Sequence, residues 1–125
     1  VSETTTRRDR EADRATLRAI HGAITGGDIA RAQAMATRAL AEGIEHPMVL
    51  DLAAGHLEAQ GQLDRACALL ARAAEIAPQA PGIRNAYGLV LQRLDRSEQA
   101  LAEFDAVLAI DPAFAPGWSN RGAHR

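Results

Sequence analysis

Apolar residues recur along this chain at spacings of three and four, the period of a helix with one buried face. Leu17, Ile20, His21 and Ile24 share one such face. Ala32, Met35, Ala36, Ala39 and Leu40 make a second stripe, and Leu50, Ala53, Ala54 and Leu57 a third. Ala66, Leu69, Leu70 and Ala73 follow, then Tyr87, Gly88, Leu91 and Leu94, then Ala100, Leu101, Phe104, Val107 and Leu108. Breakers separate the stripes. Gly26 and Gly27 allow a sharp reversal, and Asp28 caps what comes next. Gly43 ends the second helix, and Pro47 opens the third at a first-turn position where its missing N–H costs nothing. Gly61, Ala77-Pro78, Asp95-Arg96 and Asp111-Pro112 supply the later stops. A residue before proline is pushed out of the helical region.

The pattern predicts helices from Arg7 to about Ile24, Ile29 to Glu42, Met48 to Gln60 and Leu63 to Ile76. Two more open at Pro81 and Ser97, and a seventh begins at Pro116 and runs to Arg125. Val1 to Thr6 read as a frayed polar tail, with a threonine able to cap the first helix.

The alternation has a fixed spacing of 34 residues: Pro47 matches Pro81, Pro78 matches Pro112, and Gly27 matches Gly61. Leu57 matches Leu91, Ile76 matches Ile110, and Ala32, Ala66 and Ala100 align in threes. Ala36, Leu70 and Phe104 share one apolar position of growing size. No insertion or deletion is needed from Gly27 onward.

In its period and in Gly88, Leu91, Ala100, Phe104 and Pro112, the chain resembles a tetratricopeptide repeat protein. The copy from Pro47 carries Ala54, Leu57, Ala66, Leu70, Ala73 and Pro78 at the same places. The first copy keeps Ala32, Ala36 and Ala39 but has Ile44 where the proline belongs. Trp118 and Gly122 start a partial fourth copy. The resemblance implies an all-α, right-handed solenoid of antiparallel helix pairs, about three repeats plus the first helix of a fourth. Residues 1–12 are then a polar tail and helix start, and 13–125 the solenoid, with repeats at 13–46, 47–80, 81–114 and a partial 115–125. Solenoids normally end in a polar capping helix. This chain stops inside a repeat, which predicts the N-terminal part of a longer bacterial protein. The alternative expectation is self-association through the end near Phe114 and Trp118.

Composition narrows the function. Aromatic residues make up 3% of the chain, so alanine and leucine must form the core and helix backbones can approach closely. All fourteen basic residues are arginine, yet the formal net charge is -2, which speaks against a nucleic-acid scaffold or a membrane-surface protein. No apolar run approaches the ~20 residues of a membrane span, and there is no signal-peptide core. A cytoplasmic location is the default expectation. One cysteine, Cys67, excludes an intrachain disulfide and reads as a buried, inert thiol.

No phosphate-binding glycine loop, dinucleotide fingerprint, zinc-protease helix or C-x-x-C pair is present. His21, His46, His56 and His124 lack ligand spacing. No catalytic residue, cofactor or metal is therefore assigned. Recognition is left, with a protein or peptide as the expected partner. The resemblance implies a concave groove lined by the first helix of each repeat. Its candidates are Arg14, Leu17 and His21 in the first repeat, and Asp51, Gly55 and Glu58 in the second. Asn85, Leu89 and Gln92 follow in the third, and Asn120 in the partial fourth. Leu52, Gly82 and Ala86 fall where a clamp for a peptide's terminal carboxylate would need polar groups, which argues against that mode. Asn120 is similar to the asparagine that recurs along the groove of protein glycosyltransferases. The expected function is a non-catalytic binding scaffold. The alternative is the substrate-docking arm of a glycosyltransferase, sulfotransferase or iron-dependent oxygenase whose catalytic domain follows residue 125.

Overall fold

A computed structural model describes residues 3–114. Six helices follow one another, with no strand among the described residues: α1 (Glu3–Thr25), α2 (Ile29–Ala41), α3 (Pro47–Ala59), α4 (Leu63–Ile76), α5 (Pro81–Arg93) and α6 (Ser97–Ile110). Each packs on its sequence neighbours, and α3 also meets α5. This is an all-α repeat fold of stacked helix pairs. The seventh helix, with Trp118 and Gly122, lies outside the described residues.

Local chemistry sets the helix ends. The Asp28 carboxylate accepts the Arg31 N–H at 3.1 Å and caps α2, as the sequence predicts. At α3 the imidazole of His46 does the same for Met48, accepting through Nδ1 at 3.1 Å, with Pro47 behind it. The turn inside each pair repeats in detail. Gly27, Gly61 and Asp95 all hold positive φ, at 82°, 77° and 60°. The next N–H then reaches back to a helix carbonyl: Asp28 to Ala23, Gln62 to Leu57 and Arg96 to Leu91, each at 2.9 Å. These are Schellman-type closures, which satisfy carbonyls that a helix end leaves open.

Two expectations shift. Helix α1 begins at Glu3 rather than Arg7, so Thr4 to Thr6 continue the helix instead of capping it. Helices α2, α3 and α5 each end one residue before a C-cap (Glu42, Gln60 and Leu94) whose N–H still bonds back into the helix. The first junction also departs from the later two. Where Pro78 and Pro112 stop α4 and α6, Gly43 turns the chain at φ 89° and Ile44 is buried against Ile20 and Val49.

The core divides into two clusters. One holds Ile20, Ala32, Ala36, Ala39, Ile44 and Val49. The other holds Ala54, Ala66, Cys67, Leu70, Val90, Leu91, Ala100 and Phe104. The repeat positions singled out in sequence, Ala32, Ala66, Leu70, Gly88 and Phe104, are all buried. Gly88 explains its own presence: a Cβ there would lie 2.5 Å from Phe104 Cε1, so the ring of α6 lies directly on the α5 backbone.

Candidate functional site

The first helices of the pairs, α1, α3 and α5, carry the expected groove residues. Their side chains divide by how much the core absorbs. Arg14 and His21 are exposed on α1. Leu17 is half-buried and packs on the first cluster, and Leu89 packs on the second, so both anchor the wall more than they offer a surface. Asn85 and Gln92 are half-buried on α5. Asn120 lies outside the described residues.

The middle of the site is acidic. Asp51 and Glu58 stand two turns apart on one face of α3. Burial pushes the Asp51 carboxyl above the usual range, and the neighbouring Glu58 pushes it further. No hydrogen bond or ion pair reaches Asp51 among the described residues. Burial raises Glu58 too, against the lowering pull of Arg93. That guanidinium crosses from α5, with Nη1 3.3 Å from Glu58 Oε1. Between the two acids, Gly55 leaves room for Gln33 of α2, whose Nε2 lies 2.9 Å from where a Cβ would stand.

Arg93 and Gln33 belong to this face and were not foreseen. Arg93 follows Glu58 by one repeat and one residue, so a comparison within a single register passes over the pair. The site contains no acid–base or nucleophilic pairing, and no group of three metal-ligating side chains occurs among the described residues. Away from this face, burial also raises the Cys67 thiol, consistent with an inert sulfur. No helix among the described residues is long and apolar enough to cross a membrane.

A family model for the tetratricopeptide repeat matches residues 57–119, just over half of the chain. The chain is a tetratricopeptide repeat protein. No curated protein matches it in sequence. Among solved structures it is similar to YrrB, described as a repeat protein with an unusual peptide-binding site, at 26% identity and a TM-score of 0.73. That match covers 93% of this chain and 60% of YrrB, so the chain spans under two thirds of that relative's length. The O-GlcNAc transferase of Thermobaculum terrenum shares the fold at 22% identity and a TM-score of 0.76, covering 94% of this chain and 22% of the enzyme. The second repeat domain of human RPAP3, in complex with the HSP70 peptide SGPTIEEVD, shares it at 16% identity and a TM-score of 0.70. There the match covers 87% of this chain and 91% of the other. A repeat protein of this kind is a protein-interaction fold, and some of its structural relatives hold peptides.

Proposed function

We propose that this chain is a non-catalytic binding module whose groove, lined by α1, α3 and α5, takes a peptide or an extended segment of a partner protein. The observation that carries the reading is the row of polar, half-buried side chains on the first helices, Asp51, Glu58, Asn85 and Gln92, which neither core cluster absorbs. Half-buried polar groups facing an open surface are the parts that give a docking groove its specificity. Peptide capture by YrrB and RPAP3 supports the same use of the fold. The clamp for a terminal carboxylate is not the mode favoured here, because acids hold the centre of α3 and Gly82 and Ala86 hold the matching turns of α5.

The test is affinity capture of partners with the wild-type chain and with Asp51→Arg plus Glu58→Arg, each checked for helicity by circular dichroism. Loss of the captured proteins in the folded variant supports the groove. Equal recovery from both sets the groove residues aside.

A second reading is the substrate-docking arm of a larger enzyme. Its support is the fit over 94% of this chain to a small part of a glycosyltransferase. The coding sequence beyond Arg125 decides between them: a catalytic domain favours the arm, and further repeats followed by a stop favour the scaffold.

A further inference from the structure

A cavity of 460 Å³ opens between α2, α3 and α4. Leu40, Ala53, Leu57 and Leu69 give it a mostly apolar wall, and His56 and Arg65 stand among them. None of its lining residues belongs to the groove set, so it is a separate feature of the molecule.

The repeat itself explains the space. Ala53 and Tyr87 occupy the same register, 34 residues apart. Tyr87 packs against the second core cluster and lies within electrostatic reach of Glu75 and Glu103. The repeat equivalents of those two acids are Ala41 and Leu69, and both line the cavity. The half-buried phenol ring of Tyr87 stands between α4 and α6 at the register where the cavity lies between α2 and α4, with Ala53, 2% exposed, at its floor. The molecule thus contains its own example of what fits: a six-membered aromatic ring.

The charges around the two volumes differ: Tyr87 has Arg96 as well as the two acids within reach, whereas Arg65 lines the cavity with no carboxylate among its lining residues. The acids bordering Tyr87 are replaced at the cavity by alanine and leucine, and Gln99 is replaced by Arg65. Arg65 forms no ion pair among the described residues, and its Nη1 donates to Gln62 Oε1 at 2.6 Å. Val90 is fully buried, whereas its counterpart His56 is half-buried and is one of the residues lining the cavity. A cavity of this size lies in the range used by small-molecule sites, which pair apolar walls with a few polar groups.

We propose that this cavity binds an aryl carboxylate, with the ring in the volume left by Ala53 and the carboxylate accepting from the Arg65 guanidinium. A planar guanidinium is suited to a carboxylate, and the apolar wall is suited to the ring.

The test is a titration of the full chain with benzoate, followed by amide chemical shifts, with p-cresol as the neutral ring. Benzoate is expected to saturate, with the shifts concentrated around Ala53, His56, Arg65 and Leu69. Ala53→Tyr, which supplies the ring covalently, is expected to abolish binding. Ala53→Leu fills the same space and carries the test if the tyrosine variant does not fold. Arg65→Gln is expected to weaken benzoate about tenfold, the scale of one charged hydrogen bond, and to leave p-cresol unchanged. Absence of saturation at millimolar benzoate overturns the proposal. So do shifts centred elsewhere, folded Ala53 variants that bind as wild type, or equal losses for both probes in Arg65→Gln.

Discussion

The second and third repeats share one backbone plan and solve its packing in opposite ways. In residues 47–80 the positions at the close helix approach are Ala54 and Leu70, both in the second core cluster. In residues 81–114 the same positions hold Gly88 and Phe104, so a methyl is given up where a ring comes in. At the neighbouring register Tyr87 fills its space, whereas Ala53 leaves a cavity. Even the buried Leu50 has a polar counterpart. Arg84 stands there, its Nε donating to Pro78 O at 2.7 Å and its Nη1 2.9 Å from Glu103 Oε1. The repeat spacing fixes where helices lie, and side-chain volume decides which junctions are dense and which are open. The cavity lies between the first two helix pairs.

The largest break in that comparison comes from removing the ring. Phe104 is fully buried, so Phe104→Ala should cost about 3–5 kcal/mol, read from urea melts. An unshifted midpoint would show that α6 does not rest on this ring. Next comes the glycine beneath it. Gly88→Ala places a methyl against Phe104, which cannot move freely within the core, and should cost about 1–3 kcal/mol. Combining it with Phe104→Leu rebuilds the Ala54–Leu70 combination of the second repeat. The double variant should then lose less than the two single losses added together, since contacting residues couple. Strict additivity would mean that the two repeats do not pack by one plan.

A smaller effect separates backbone from packing. A Cβ on Gly61 meets nothing within 4 Å, yet its φ is 77°. Gly61→Ala should therefore cost about 1 kcal/mol through backbone strain alone. Asp95 holds the equivalent turn at φ 60°, so Asp95→Gly should move the midpoint the other way or leave it in place. A loss in both variants would point to a side-chain role for Asp95 that the turn geometry does not require.

Much of this fold is written in punctuation that acts locally. Pro81 and Pro112 bracket the third pair because the N–H that proline lacks is not needed at a helix start, and the residue before a proline resists the helical region. The α4 limits, Leu63 and Ile76, follow from Gly61 and Pro78 in the same way. The start of α1 was not legible, because three threonines are as suitable for a cap as for a helix turn. Asp51 and Glu58 could be placed on one face from their seven-residue spacing. Arg93 could not, since its contact with Glu58 depends on how far α5 is displaced along α3. The contrast of Ala53 with Tyr87 was visible in the sequence, but whether neighbours close over an alanine depends on the relaxed positions of three helices.

The smallest expected effect tests the groove. Burial raises the Asp51 carboxyl above its ordinary value of 3.8, so the folded chain holds that proton more tightly than the unfolded one does. The sign follows directly. Below 3.8 the carboxyl is protonated in both states and carries no penalty. As pH rises through the higher folded value, ionisation becomes a cost that persists to neutrality. Asp51→Asn removes that cost, so it should stabilise the chain near neutral pH by less than about 1 kcal/mol, the scale of a partly exposed charge. The gain should vanish in acid, where wild type and variant melt together. Glu58→Gln offers no such gain, because it also gives up the charge attraction to Arg93. A destabilised Asp51→Asn at neutral pH would mean that the carboxylate serves the fold. A stabilised one would mark it as a charge kept at some expense to the fold, as expected of a groove residue whose counterpart arrives with the partner.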